Sequence, residues 1–386
     1  MSEVGKVNVY KEDKKFGYIK RNKGKDLYFK EESLSKNKRD QKLIPLKNEL
    51  VEFDMNKNRK TQKEEAKNIK IIRPLVPFKD TYRAFLANDG CVDNFLLKLS
   101  KFSLFDGKDF FFFKTSKGKI IYNICADSWA FDFSVFDTDY TRKIKSMNLR
   151  VKELKMKPDW RMVVGIGDPS VYETSITLHH IYGIPYIPGS AIKGITRHYF
   201  ILSEFEKTNC KWPEISIFEK VLENFTFKDK KDQNKKNDEE KKFESFKSKF
   251  SNAPSKEIYN HFYNEKSHIK KEMIEIIENY QNIFGSQNKK GSVIFFDSFP
   301  MEPPNIEPDI MNVHYPDYYS KDKNPTDDQN PNPIIFLTIK NTKFKFLLGS
   351  KDENLLEKSK KYLSESLSEH GLGAKTAVGY GLWSEA

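Results

Sequence analysis

Glycine is concentrated near the C-terminal end of the sequence, in the stretch HGLGAKTAVGYGLW that runs from His370 to Trp383. Its glycines stand at positions 371, 373, 379 and 381, around a single lysine, Lys375. Glycine loses more conformational entropy on folding than any other residue, so such a cluster indicates a backbone that bends sharply or approaches a ligand closely. The spacing fits neither the nucleotide-binding loop nor the dinucleotide fingerprint. The stretch alone therefore predicts either a tight hairpin before a last strand or a binding loop.

Positive charge is concentrated at the other end of the chain. The 386 residues, enough for two or three domains, carry a formal charge of +12. Residues 1–72 supply +8 of it, with 20 Lys and Arg against 12 Asp and Glu. A basic end module indicates a polyanionic partner, most commonly a nucleic acid, although a solvated lysine-rich surface would give the same count.

Cysteine usage and hydropathy exclude several classes of protein. The three cysteines are widely spaced and form no C-x-x-C pair, which argues against a disulfide scaffold or a zinc ribbon and favours a reducing compartment. The first residues contain no apolar signal core, and the longest apolar runs, such as the phenylalanines at 110–113, are too short to span a bilayer. We therefore expect a cytoplasmic protein that makes no membrane contact.

Residues 1–75 have the alternation of a small β-barrel. The segments VGKVNVY, FGYIKR, DLYFK, ELVEFDMN and AKNIKIIRP read as five short strands, several of them joined by turns rich in lysine and glycine. Five strands in about 70 residues fit a small Greek-key barrel of the OB type. Pro74 and Pro77 then indicate a boundary. Residues 76–145 form a connecting segment that the sequence does not place, with a helix in VDNFLLKLSKF and strands around Gly118.

Residues 146–386 predict an α+β domain with its helices on one face of a sheet. A helix follows IPYIPG, with Ser190 as a candidate N-cap, and helical insertions occupy about 205–285. The charge run at 228–242 has no apolar face and predicts a solvated loop. The amphipathic helix NLLEKSKKYLSESLSEH leads directly into the glycine stretch.

The first 72 residues resemble a cold-shock domain. The segments GKVNVY, KKFGYIK and DLYFK, followed by VEFDMN and EEAKNIKII, occur in the order of that family. The resemblance implies single-strand binding, with aromatics stacked on unpaired bases and lysines around them; by position these residues are Phe16, Tyr18, Lys20, Tyr28 and Lys30. Val9 replaces the family's tryptophan, and Lys30 its histidine, which bears on base preference. The alternative is that two of the three aromatics belong to the barrel core.

The remainder of the chain resembles the RAMP superfamily of CRISPR systems. The motifs are IPYIPGSAIKGITRHYF, IFGSQNKKGSVIFFDSFP and GLGAKTAVGYG; together with DIMNVHYPDYY and PNPIIFLTIKNTKFKF they are most similar to the family of the sixth subunit of type III-B effector complexes. The resemblance implies a ferredoxin-like (RRM-type) domain whose glycine-rich loop contacts RNA backbone. Exposed N–H groups of this loop and its lysine would suit phosphate oxygens, which makes candidates of Gly371, Gly373, Lys375 and Thr376.

Other polar residues are weaker candidates. Lys193 and Arg197 lie four apart near the start of the predicted helix, where an RNA phosphate is favoured, although a solvated basic face explains them equally well. His314, among tyrosines, would fix a loop or stack on a base. His179 and His180, adjacent in a predicted strand, would point to opposite faces and could not easily share a metal. We therefore expect neither metal nor cofactor and no catalytic residue.

The sequence thus predicts an RNA-binding, non-catalytic subunit of a type III-B CRISPR ribonucleoprotein that acts in antiviral defence. The resemblance implies contacts to guide RNA near its 3′ part, to target single-stranded RNA and to other subunits of the complex. Two alternatives stay open. RAMP relatives include guide-processing endoribonucleases that use a histidine as general acid or base, for which His314 or His180 would be the candidate. A free single-strand RNA chaperone would explain residues 1–72 but not the later motifs.

Overall fold

The protein is described from a computed structural model. The structure describes residues 2–21, 24–35, 44–58, 61–74, 79–87, 92–105, 110–116, 119–126, 129, 131–208, 210–225, 260–262, 270–287, 289–313, 324 and 332–386. The predicted solvated loop at 228–242 and the candidate residue His314 lie outside this set. The chain divides into two compact units, each built from three segments; unit 1 comprises Met1–Phe131, Gly165–Pro185 and Asn305–Ile339, and unit 2 comprises Asp132–Val164, Tyr186–Pro304 and Lys340–Ala386.

Unit 1 begins with a closed five-stranded barrel. Its strands are β1 (Ser2–Lys11), β2 (Phe16–Arg21), β3 (Leu27–Lys30), β4 (Leu50–Lys57) and β5 (Glu64–Pro74). They pair in the order β3-β2-β1-β4-β5, and a parallel pairing of β3 with β5 closes the barrel. Alternate side chains of every strand fill it, and the buried set is Val7, Ile19, Leu27, Phe29, Leu34, Val51, Phe53, Ala66 and Ile69. The predicted cold-shock-like barrel is confirmed.

The rest of unit 1 extends and flanks the barrel. Its further elements are α1 (Lys79–Ala87), α2 (Phe95–Ser100), β6 (Leu104–Phe105), β7 (Phe110–Phe111), β8 (Phe113–Ser116), β9 (Lys119–Asn123), β14 (Asn305–Val313) and β15 (Asn332–Lys340), which ends one residue past the unit. β6 pairs with β5 and β7 with β6, so the barrel sheet continues into the segment that the sequence left unplaced. α2 begins where the Asn94 side chain accepts the N–H of Leu97, as the helix predicted in this segment requires.

Unit 2 is a helix-covered antiparallel sheet. Its elements are α3 (Phe133–Lys145), β10 (Arg150–Pro158), β11 (Arg161–Met162), α4 (Gly189–Glu206), α5 (Ile215–Asn224), α6 (Lys271–Phe284), β12 (Ile294–Phe295), β13 (Phe299–Pro300), β16 (Phe344–Ser350), α7 (Glu353–Glu369) and β17 (Trp383–Glu385). The sheet order is β12-β16-β10-β17, and β13 also pairs with β16. Helices α5 and α6, within the predicted insertion, pack on each other and on α4.

Helices cover both faces of this sheet, not one face as the sequence suggested. On one face Lys345 of β16 donates to Asp137 and Thr141 of α3. On the other, Lys152 of β10 pairs with Glu353 of α7 at 2.7 Å. Every residue of β16 is therefore buried. The predicted α+β class, with an N-terminal barrel followed along the chain by a ferredoxin-like domain, is confirmed.

The compact units depart from the predicted boundaries at 75 and 145. The segment 76–131 belongs with the barrel because β6 and β7 extend its sheet, and unit 2 begins at Asp132, the cap of α3, fourteen residues before the predicted start at 146. Residues 165–185 and 305–339 also join unit 1, although they follow 146 in the chain. Strand patterns in the sequence could not show that the chain comes back to unit 1 in these two segments. Among the described residues no helix is long and apolar enough to cross a membrane.

Candidate nucleic-acid interface

Three aromatic side chains form a cluster on the outer face of the barrel. The rings of Phe16 and Tyr28 have centroids 5.7 Å apart, those of Tyr18 and Tyr28 5.8 Å, and those of Phe16 and Tyr18 6.0 Å. Tyr18 is 37 % exposed, and the other two are half-buried. None belongs to the buried core, which removes the alternative that two of them fill the barrel. We call this group the aromatic triad.

The alternation of β2 explains why the triad faces outward. Gly17 and Ile19 point inward, so Phe16 and Tyr18 point outward. Gly17 is required because a Cβ there would lie 2.5 Å from Cζ of the buried Phe29. The sequence FGY therefore places two aromatics on the surface while its glycine admits a core ring from the next strand.

Lysines lie on both sides of the triad. Lys11 and Lys30 pair across the strands with Phe16, and the Lys11 ammonium lies 5.8 Å from that ring. On the other side Lys20 pairs with Lys6 of β1. Aromatic rings between cationic side chains make a platform on which unpaired bases can stack while phosphates lie beside ammonium groups. The structure thus brings together the five residues that the sequence proposed for the barrel.

Val9 enlarges this surface where a tryptophan would be expected. A bulge in β1 between Val7 and Val9 keeps Val9 opposite Tyr18, and its side chain is 37 % exposed. The surface is continuous, but an aliphatic group stacks less well than an indole.

In the second unit, three of the four C-terminal glycines are required by contacts within the protein. Gly371, Gly373 and Gly381 have φ of 76°, 113° and 69°, values that side chains disfavour. A Cβ on Gly373 would overlap the Val163 carbonyl oxygen, one on Gly381 that of Leu372, and one on Gly371 would lie 2.7 Å from Gly381 O.

Hydrogen bonds explain why these glycines lie so close to carbonyl oxygens. Leu372 N–H donates to Gly381 O at 2.7 Å, Ala374 N–H to Val163 O at 2.8 Å, and Gly381 N–H to Arg161 O at 2.7 Å. These three N–H groups of the stretch are therefore directed to protein oxygens. Contacts within the protein therefore explain Gly371, Gly373 and Gly381, and the close approach to RNA predicted from the sequence is not needed to account for them.

The tip of the stretch is a separate feature, which we call the glycine turn (residues 375–379). Lys375 adopts the left-handed conformation with φ 65°, and its carbonyl accepts the N–H groups of Val378 at 3.1 Å and Tyr380 at 3.3 Å. A 3-10 turn covers Thr376–Val378, and Val378 is 64 % exposed. A Cβ placed on Gly379 would meet no described atom within 4 Å beyond its chain neighbours, although φ of 91° there still favours glycine. The candidates Lys375 and Thr376, both half-buried, lie in this open part of the loop.

The start of α4 is fixed by the strand region that follows α6. Gly189 N–H donates to Asp297 Oδ1 at 2.7 Å, and a Cβ on Gly189 would overlap the Phe295 carbonyl oxygen. The N-cap is Pro188, so the predicted cap Ser190 lies within the helix and the carboxylate of Asp297 takes over the capping role. The two motifs IPGS and FFDSFP therefore meet in space. Lys193 lies in the first turns of α4, half-buried, at the end of the helix that favours anions.

Arg197 has protein partners, unlike the solvated basic face that the sequence suggested. Its guanidinium donates to Tyr280 Oη and Glu219 Oε1, both at 2.6 Å, and also to Glu223. Burial by itself would lower the pKa of Arg197, but Tyr280 and Glu219 outweigh it and the pKa is raised. These contacts tie α4 to α5 and α6, and the RNA contact predicted for Arg197 stays a prediction.

Gly194 differs from the glycines that pack against carbonyl oxygens. It lies in the interior of α4 and is exposed, and a Cβ placed there would meet no described atom within 4 Å apart from its chain neighbours and the backbone of its own helix. Glycine inside a helix costs about 0.5–1 kcal/mol relative to alanine. The described part of the fold therefore provides no reason for glycine at 194.

Among the described histidines two pairs of rings lie close together, and the sequence pointed to only one of these pairs. His179 and His180 lie in a turn, not a strand, and their rings stack at 4.9 Å; the expectation that they face opposite ways was wrong for that reason. The pair His198 and His370, with centroids 6.1 Å apart, could not be read from the sequence because 172 positions separate them. Burial, and then the charge of His370, lower the pKa of His198. Among the described residues no group of three potential metal ligands is present.

Comparison with known proteins identifies relatives of this chain. The family model for the RAMP superfamily matches residues 161–384, so the barrel lies outside the match. The CRISPR system Cmr subunit Cmr6 of Pyrococcus furiosus is 41 % identical over 269 residues, covering 63 % of this chain and 70 % of that protein. The Cmr6 subunit of Saccharolobus solfataricus is 36 % identical over 109 residues, 27 % of this chain and 35 % of its own length.

Solved structures are also similar. The crystal structure of Cmr6 from Pyrococcus furiosus is 38 % identical, with 62 % of this chain and 99 % of that chain covered and a TM-score of 0.37. A chain in the cryo-EM structure of the type III-B Cmr-beta complex bound to cognate target RNA is 20 % identical, with coverages of 65 % and 64 % and a TM-score of 0.39.

Proposed function

Because the chain belongs to the RAMP superfamily and, within it, to the family of the Cmr6 subunit, we propose that it is an RNA-binding, non-catalytic subunit of a type III-B CRISPR effector ribonucleoprotein. In this proposal it binds guide RNA near the 3′ part, contacts other subunits, helps to capture target RNA, and acts in the cytoplasm in antiviral defence. The observation that carries RNA binding is the aromatic triad between lysines on the barrel.

The triad suits single strands. Three rings with centroids within 6.0 Å of one another offer adjacent stacking surfaces, and each stacked base contributes about 1–3 kcal/mol. Lys11, Lys20 and Lys30 add electrostatic attraction to the sugar-phosphate backbone, which carries no sequence information. The barrel therefore binds unpaired RNA with weak base preference.

Unit 2 provides two further surfaces for the RNA backbone. At the start of α4, Lys193 lies near the positive end of the helix dipole, and the absent side chain of Gly194 leaves room for close approach of a phosphate or sugar. At the glycine turn, Lys375 and Thr376 offer a cation and a hydroxyl. Gly371, Gly373 and Gly381 are used by close contacts within the fold, and Gly379 by its φ of 91°, whereas Gly194 has no such use, so we assign close approach to RNA to Gly194.

Arg197 has a structural role in this proposal and not the RNA contact that the sequence suggested. With three protein partners, its guanidinium would have to give up charge-assisted hydrogen bonds before it could bind a phosphate. We therefore propose that Arg197 positions α4, which carries Lys193, and that Lys193 makes the RNA contact.

A histidine-based endoribonuclease is the second candidate, and one observation favours it. His198 and His370 are close enough to act as acid and base on one ligand, and His370 immediately precedes the glycine stretch. This pair suits such chemistry better than His180, whose ring stacks on His179. Incubation of the purified chain with naked RNA, compared with a His370→Ala variant, distinguishes the two functions; discrete cleavage that the variant loses would support the enzyme.

Purification of the chain from its own cells at native salt tests the proposed function. We expect guide RNA and other subunits of the effector complex to co-purify with it. Recovery of RNA without protein partners would support a free RNA chaperone, and recovery of neither would refute the proposal.

A further inference from the structure

An exposed tryptophan lies beside the glycine turn. Trp160 occupies the turn between β10 and β11, and its side chain is 47 % exposed. The rings of Trp160 and Tyr380 have centroids 4.8 Å apart at an angle of 49°, and the Arg161 guanidinium lies 5.7 Å from the centroid of the indole. Tyr380 is only 6 % exposed, so a buried ring supports the indole from the protein side.

Hydrogen bonds fasten this turn to the C-terminal stretch on both sides of Trp160. Asp159 N–H donates to Leu382 O at 2.9 Å, and Gly381 N–H donates to Arg161 O at 2.7 Å. Tyr380, the support of the indole, donates its own N–H to Lys375 O at 3.3 Å. Trp160 and the glycine turn therefore belong to one continuous, hydrogen-bonded surface.

We propose that Trp160 is a base-stacking residue of a second RNA-binding site, at which an unpaired base lies on the exposed indole while Lys375 contacts the adjoining phosphate. The inference rests on the proposed function and adds a residue and a mode of recognition to it. An indole held by a buried ring loses little entropy on binding, and nearly half of its surface is exposed to a flat ligand.

The charges near the indole favour RNA over an apolar protein anchor. Residues 155–161 hold Lys155, Lys157 and Arg161 against one carboxylate, Asp159, and Lys375 follows on the adjoining turn. Aromatic side chains interleaved with cations are typical of single-strand recognition. The core of a protein–protein contact, in contrast, is depleted of lysine.

Two measurements on the full-length chain test this inference. The first is the affinity for a fluorescently labelled uridine oligomer at low salt, for the parent, Trp160→Ala, Trp160→Phe and Trp212→Ala. Trp212 is the matched control because it is 58 % exposed in the same unit and packs on Phe205 at 5.7 Å. The second is photocrosslinking to the same oligomer carrying 5-bromouridine, with the adduct located by mass spectrometry.

We expect Trp160→Ala to weaken binding about tenfold, Trp160→Phe to keep most of the affinity, and Trp212→Ala to match the parent. The bromouridine adduct should fall on the peptide that contains Trp160. If the parent binds the oligomer but Trp160→Ala binds equally well and no adduct forms at Trp160, the stacking proposal is wrong while the proposed function stands. If the parent binds no RNA, both fail. Loss of a protein subunit from the purified complex with RNA binding unchanged would make Trp160 a protein contact and overturn the inference.

Discussion

Gly373 lies against Val163 so closely that a Cβ at position 373 would overlap the carbonyl oxygen of the valine. The same oxygen accepts the N–H of Ala374 at 2.8 Å, so it cannot move away without breaking a hydrogen bond. Gly373→Val should therefore destabilise unit 2 by at least about 2–3 kcal/mol, from the collision and from φ of 113°. Thermal unfolding measures this, with Ala377→Ser, an exposed change in the same loop, as the control. A melting temperature equal to that of the parent would show that Gly373 does not pack against the carbonyl oxygen of Val163 in this way.

A substitution of Lys375 distinguishes a glycine turn that binds RNA from one that serves only the fold. Lys375→Glu reverses the charge of a half-buried side chain on the open part of the loop, and a single charge at a partly exposed turn contributes little to stability. We expect a melting temperature close to that of the parent and a loss of RNA affinity of at least several-fold, measured by fluorescence anisotropy, with Lys375→Arg close to the parent. Equal RNA affinity for Lys375→Glu and the parent would mean that the turn serves the fold alone.

Gly194 leads to a prediction in which stability and binding change in opposite directions. Alanine at an unobstructed position within a helix should raise the free energy of unfolding by about 0.5–1 kcal/mol. The added methyl group should also hold RNA away from α4 and weaken its binding. Denaturant unfolding and RNA titration on the same Gly194→Ala sample provide both numbers. A variant that is more stable and binds RNA as tightly as the parent would exclude close approach at this position.

The aromatic triad should supply most of the barrel's affinity for single strands. Phe16→Ala combined with Tyr28→Ala should weaken binding of unpaired RNA at least tenfold because two stacking surfaces are lost. Neither side chain belongs to the buried core, so circular dichroism should show a folded protein. Binding by the parent should also fall steeply with added salt, since lysines flank the rings. Unchanged affinity in the folded double variant would disprove stacking by the triad.

Arg197 should prove structural. Arg197→Ala removes hydrogen bonds to Tyr280 and to two carboxylates and leaves those carboxylates facing each other. Since the Arg197 side chain is 30 % exposed, solvent screening limits the expected destabilisation to about 1–2 kcal/mol. Stability should fall in thermal unfolding while RNA affinity per folded molecule changes little. A stable variant that has lost RNA binding would instead restore Arg197 as a phosphate contact, with Lys193→Ala as the comparison.

Local patterns in the sequence predicted the barrel and its binding face well. The alternation in FGYIKR determines which side chains of β2 point outward, and the buried Gly17 with its neighbours Phe16 and Tyr18 follows that pattern. The helix α4 was likewise predicted, but its cap was not, because Asp297 is remote in sequence and only the fold brings it to Gly189.

Other features depend on long-range contacts that no local pattern contains. The partners of Arg197 lie on α5 and α6. The spacing of Lys193 and Arg197 on α4 therefore could not show that Arg197 is hydrogen-bonded within the protein. The glycine stretch was correctly expected to need unusual backbone, but only its neighbours divide it into three glycines packed against carbonyl oxygens and one that is open. Trp160 carries one local signal, a tryptophan next to an arginine, but only the fold shows that it lies in a turn beside Tyr380.

The central claim is that this chain holds guide RNA within an effector particle. Ultraviolet crosslinking of the assembled particle, followed by isolation of this chain and sequencing of the attached RNA, tests it most directly. We expect guide RNA attached through its 3′ part, with adducts at the aromatic triad of the barrel or beside the glycine turn. If this chain carries no crosslinked guide RNA in a particle whose other subunits do, the proposed function is wrong.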